Sequence, residues 1–88
     1  QYDEKQQLKI GQGLIGHVAT TGEPVIVHDV ARDDRYIDAH PSTKSEIVVP
    51  IKIDNRLIGV INLESDQTNA YDGRSQSLIS AFATQAAI

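Results

Sequence analysis

The chain has 88 residues, with 12 acidic against 8 basic side chains for a net charge of -4, and it contains no Cys. That length allows one domain with a modest core, while the missing Cys excludes a disulfide framework, a thiolate nucleophile and a Cys-based metal site within these residues. The bases Lys5, Lys9, Arg32, Arg35, Lys44, Lys52, Arg56 and Arg74 are scattered, which argues against nucleic acid, and no apolar run nears the roughly 20 residues that span a bilayer, so we expect a cytoplasmic chain without membrane insertion.

Residues 1–8 are a polar lead-in, and the absence of a starting Met together with an apolar pattern running to Ile88 reads as one domain cut from a longer protein. Gly11, Gly13 and Gly16 then stand in the spacing G-x-G-x-x-G, with Asp29 eighteen residues after the first. Such glycines can cradle a pyrophosphate at a helix N-terminus while a later acid holds a ribose. That reading requires a βαβ unit, and the rest of the chain does not supply one. Leu14, Ile15, Val18 and Ala19 fall at helical spacing, and Gly22 and Pro24 mark the stop. Val25 to His28 is a short β-branched strand. It leads into Asp29 to Ser45, a charged segment long enough to suggest function.

Ser45 to Ser65 contains two β-rich runs separated by Asp54-Asn55, residues suited to the positive φ of a type I′ turn. A two-residue turn predicts that Ile53 faces Arg56, Ile51 faces Ile58, Pro50 faces Gly59 and Val49 faces Val60. One face then carries Ile47, Val49, Ile51, Ile53, Ile58 and Val60, and the other Val48, Pro50, Leu57, Gly59, Ile61 and Leu63. Both are largely apolar, so the hairpin is covered on both sides. Residues 72–88 form a terminal helix, with Asp72 as N-cap and an apolar stripe of Leu78, Ile79, Phe82, Ala83 and Ala86 that covers the richer hairpin face. The helix is cut before its natural end.

The order of these pieces resembles the C-terminal half to two-thirds of a GAF domain. The resemblance rests on G-x-G-x-x-G with its short helix, Gly22-Glu23-Pro24, a strand ending at Asp29, a loop with Tyr36, Ser45 to Ile51, Leu57 to Leu63, Tyr71 and Gln85 to Ile88. It implies an α+β fold truncated at its N-terminus, with an antiparallel sheet, helices on one face and a loop-roofed pocket on the other. It also implies a regulatory sensor module of a larger protein, one that binds a small ligand, pairs with itself as a homodimer, or does both, and so controls a C-terminal output domain. Two alternatives stay open: a dimerisation module without a ligand, and a cyclic-nucleotide-binding module, the latter disfavoured because Asn69, Tyr71, Arg74 and Ser75 do not complete the Asn-Lys-Phe-Asp-Glu signature.

Some family members reduce free methionine sulfoxide with cysteine thiolates, and others attach a bilin through Cys. With no Cys in the chain, we expect no enzyme and no covalent bilin, with any cofactor unknown. His17, His28 and His40 lack metal-ligand spacing. The expected ligand position lies between the charged loop and the sheet, formed by Asp29, Arg32, Asp33, Arg35 and Tyr36 above an apolar floor of Val48, Pro50, Ile61 and Leu63.

Overall fold

A computed structural model describes residues 13–35 and 41–87. Helix α1 (Gly13–Thr21) is followed by strand β1 (Val25–Val27), a 3-10 turn (Val30–Arg32), strands β2 (Ser45–Ile53) and β3 (Arg56–Ser65), and helix α2 (Gly73–Ala86). The strands form one antiparallel sheet in the order β1-β2-β3. Among the described residues no helix is long and apolar enough to cross a membrane.

Local chemistry sets each boundary. Gly22 ends α1 at φ 71°, with its N–H donating to the Val18 carbonyl, a left-handed cap that glycine adopts without the steric cost of a Cβ. Asp54 and Asn55 hold φ 50° and 65°, the paired left-handed conformation of a type I′ turn, whose twist matches the flanking strands. Asp72 caps α2 by accepting from the Ser75 N–H at 2.9 Å, and the Ser75 hydroxyl reaches back to the Asp72 N–H.

Beyond the turn, the pairing departs from the expected register. Ile53 pairs with Arg56 and Lys52 with Leu57, but Ile51 then pairs with Gly59, Pro50 with Val60 and Val49 with Ile61. Ile58 is the extra residue of a β-bulge, and because side chains alternate faces, one inserted residue moves all of β3 beyond it to the opposite face. Pro50 and Gly59 are therefore not side by side, and Ile61 and Leu63 do not share a face with Val48 and Pro50.

Two cores result, one on each side of the sheet. Leu14 and Val18 of α1 pack on Val27 and Val48, with Val25 and Val60 at the margin. On the other face Ala83 of α2 packs on Ile47 and Val49, joined by Ile26, Ile61, Tyr71 and Ile79. The α+β class and antiparallel sheet agree with expectation, whereas the described helices lie on both faces rather than one. The α2 stripe is also split: Ile79 and Ala83 meet the sheet, while Leu78 and Phe82 are 70% and 68% exposed. A helix over a nearly flat sheet turns only part of a wide apolar stripe inward.

Because Asn55 tolerates φ 65° through its short polar side chain, Asn55→Gly should leave stability unchanged or higher, whereas Asn55→Val should cost about 1–2 kcal/mol. Urea denaturation of the two variants measures this difference.

Candidate ligand-binding site

The charged residues after β1 satisfy one another. Asp29 caps the 3-10 turn by accepting from the Ala31 N–H, and Arg32 Nε lies 3.7 Å from its other oxygen while remaining 86% exposed. Such a surface pair contributes about 0–1 kcal/mol. Arg35 binds Asp33 bidentately, Nε to Oδ1 at 3.0 Å and Nη2 to Oδ2 at 2.6 Å, and its backbone N–H donates to the same carboxylate. The Arg35 side-chain hydrogen bond holds the Asp33 pKa below its usual range, and the reciprocal bond raises that of Arg35. Tyr36 lies outside the described residues.

Of the expected floor, Val48 is fully buried beneath α1 and Pro50 is half-buried on the same face, while Ile61 and Leu63 lie on the α2 side. The bulge thus divides the four.

The same register assembles a different group at the far end of the sheet. Glu46 on β2 is only 4% exposed and pairs with Val27 on β1 and Glu64 on β3, and one step along the same face Val48 pairs with Asn62. Two carboxylates therefore stand directly opposite one another, an arrangement that is unfavourable when both are charged. Glu64 accepts from the Thr43 hydroxyl at 2.5 Å. Burial, and secondarily the Glu64 charge, push the Glu46 pKa up to about 7 against a hydrogen bond from Asn62. The phenol of Tyr71 is raised by burial and then by the charges of Glu46 and Glu64.

Asn62 Oδ1 is buried with no hydrogen-bond partner among the described residues, and no Lys, Arg or His there forms an ion pair with Glu46 or Glu64. A cleft of about 230 Å³ beside Glu64 is lined by Ser42, Thr43, Glu64, Ser65 and Asp66, with Glu46 and Asn62 outside that lining. One orphaned acceptor and an acidic pair with no ion-pair partner among the described residues suit a guest that brings both positive charge and N–H donors. Among the described residues no group of three or more His, Cys, Asp or Glu side chains is placed to hold a metal. A second cleft, about 280 Å³ between Gly22–Pro24, β2 and α2, has Glu23 and Lys52 as its charged lining residues.

Sequence reasoning did not select Glu46, Asn62 or Glu64 as site residues. Their signal is present: Glu46 stands directly before the apolar run Ile47 to Ile51, and Asn62 and Glu64 alternate along β3. Joining the three requires the bulge.

Comparison with known proteins gives a consistent family. The family model described as GAF domain matches residues 1–88. A free methionine-R-sulfoxide reductase of Saccharomyces cerevisiae is 38% identical over 68 residues, covering 76% of this chain and 38% of the yeast protein. The structure of a type II free methionine-R-sulfoxide reductase from Thermoplasma acidophilum superimposes with a TM-score of 0.87 at 31% identity, over 91% of this chain and 57% of that one. The Nif-specific regulatory protein of Rhizobium etli is 34% identical over 68 residues, covering 69% of this chain and 12% of that protein. The chain thus spans little more than half, or less, of the relatives it matches.

These relatives correct the expectation that the chain stands apart from enzymes, because proteins similar to it are named as reductases. That expectation rested on the absence of Cys from 88 residues. A segment matching 38–57% of such an enzyme need not contain the enzyme's reacting groups.

The buried acid has a measurable cost. The folded chain holds the Glu46 proton more tightly than the unfolded chain, where the ordinary carboxyl value of 4.5 applies, so it binds more protons between about pH 4.5 and 7. Stability from this group falls as pH rises through that window and is level above it. Glu46→Gln should flatten that decline and stabilise the protein at pH 8 by on the order of 2 kcal/mol, measured by denaturant unfolding across pH 4–8.

Proposed function

The chain belongs to the GAF domain family, and from that premise we propose that it binds a small amine-bearing molecule, of the size and charge of a free amino acid, at the Glu46–Asn62–Glu64 end of its sheet. The observation that carries this reading is the buried Glu46 directly opposite Glu64, neither with an ion-pair partner among the described residues, and the Asn62 side-chain carbonyl left without a donor among them. Glu46 and Glu64 would accept from the ammonium group, and Asn62 Oδ1 would take a further N–H. The names of the reductase relatives support the ligand class, since free methionine-R-sulfoxide carries both an ammonium and a polar side chain.

GAF domains are regulatory sensor modules, and a regulatory protein is among the relatives. In that setting α2 would pass occupancy to an output domain. Its exposed Leu78 and Phe82 offer the surface for a homodimer. A second reading, sulfoxide reduction by a longer protein containing this segment, is favoured by the reductase relatives. With no Cys among these 88 residues, the thiols would come from elsewhere in that protein.

Titration of isotope-labelled protein with L-methionine sulfoxide, followed by amide NMR, should move Thr43, Glu46, Asn62 and Glu64 first. Asn62→Leu should weaken binding at least tenfold. Shifts confined to Asp33 and Arg35, or none at millimolar ligand, would overturn this placement.

A further inference from the structure

We propose that the second cleft, between the end of α1, the turn-side half of β2 and α2, is a separate binding site for a small aliphatic monocarboxylate. It stands independently of the Glu46 reading, because the two clefts share no lining residue.

Three separate stretches of chain enclose this space of about 280 Å³. Its floor is apolar. Val49 on β2 and Ala83 on α2 are 2% and 3% exposed, and Pro24 and Pro50 extend the apolar lining. The half-buried side chain of Lys52 reaches from β2 to the end of α1, where its Nζ and Cε lie 3.2 and 3.4 Å from the point that a Cβ on Gly22 would occupy. Gly22 has no Cβ, so the residue that closes α1 leaves the space beside which the ammonium sits. Ser80 and Thr84, one turn apart, form the α2 wall. The Thr84 hydroxyl donates to the Ser80 carbonyl, which leaves the Ser80 hydroxyl as the donor that this wall can offer.

Three charges act on a guest here. Lys52 carries one full positive charge. The C-terminal end of α1 carries about half a negative charge, and its last turn contains no basic residue. Lys52 offsets that end and keeps a positive remainder. Glu23 is the one acid of the lining, and it is exposed, so water screens it more than the half-buried Lys52. One ammonium against one screened carboxylate admits a guest with a single negative charge and resists one with two. A carboxylate is therefore preferred over a phosphate dianion. Its oxygens accept from Lys52 Nζ and the Ser80 hydroxyl, and a short alkyl chain lies on Val49 and Ala83. Because α2 forms one wall, such a guest ties that helix to β2 and to the end of α1, and its binding stabilises that packing.

Amide NMR of the labelled protein, titrated with sodium butyrate at fixed pH and ionic strength, tests the site, with n-butylamine and inorganic phosphate as comparisons. Butyrate should move Gly22, Lys52, Ser80 and Ala83 at millimolar concentration and leave Thr43 and Glu64 in place. Lys52→Gln should weaken butyrate binding by about fivefold or more, and Lys52→Arg should keep most of it. Glu23→Gln, at an exposed position, should tighten it by about twofold, since it removes the opposing charge. Absence of butyrate shifts at these amides, or shifts that Lys52→Gln preserves, overturns the proposal. So does n-butylamine or phosphate acting on the same amides as strongly as butyrate. Should Lys52→Gln fail to fold, Glu23→Gln decides: affinity that falls or stays level on removing that acid overturns the assignment to an anion.

Discussion

A single extra residue in β3 governs this molecule. Without the bulge at Ile58, the pairing set by the Asp54-Asn55 turn would carry Asn62 opposite Ile47, inside the α2 core, and leave Glu46 facing a different part of β3. With it, Asn62 pairs with Val48 and Glu64 with Glu46, while Ile61 and Leu63 turn toward α2. Gly59 occupies the position opposite Ile51, where an added Cβ would sit 3.9 Å from the Ile51 Cδ1, an ordinary contact. The bulge therefore puts Ile61 on the α2 face of β3 and Val60, Asn62 and Glu64 on the opposite one.

The energetics of the two ends of the sheet differ in kind. Near the middle of β2, Ile47, Val48 and Val49 are buried on alternating faces and gain from transfer out of water. At Glu46 the same burial opposes the charge of the side chain, and the nearest opposing strand adds a second acid instead of a base. The charged loop after β1 makes the contrast plain, because there Asp33 and Arg35 close a bidentate pair and leave no unmet demand. One acid of the fold is thus neutralised by a bidentate partner, while Glu46 has no ion-pair partner among the described residues.

Much of the fold was legible from local chemistry. Gly22 as a helix stop, Asp54-Asn55 as a type I′ turn and Asp72 as a cap are each decided within a few residues, and the structure places them as expected. The face assignment of β3 was not legible, since nothing in Leu57-Ile58-Gly59 states which residue will be left out of the ladder. That one uncertainty hid the acidic pair and also joined Val48 and Pro50 to Ile61 and Leu63 on paper. The reductase reading was set aside for a different reason: an absent residue type is informative about the chain that lacks it, and less so about a longer protein of which the matched segment is about half.

Ser45, the neighbour of Glu46, faces the other way, and its hydroxyl donates to the Gln67 carbonyl at 2.5 Å while the Ala70 N–H approaches it at 3.4 Å. The Asn69 N–H is fastened in turn to the His28 carbonyl at the end of β1. The strap from Asp66 to Tyr71 is thereby stitched to both neighbouring strands, and Asp72, the cap of α2, follows only two residues after Ala70. Glu46 and the first turn of α2 are thus linked in series through one peptide unit, one hydroxyl and a short taut run of backbone. The β2 end that carries Glu46 is thus the same backbone that holds the lead-in to α2 in place.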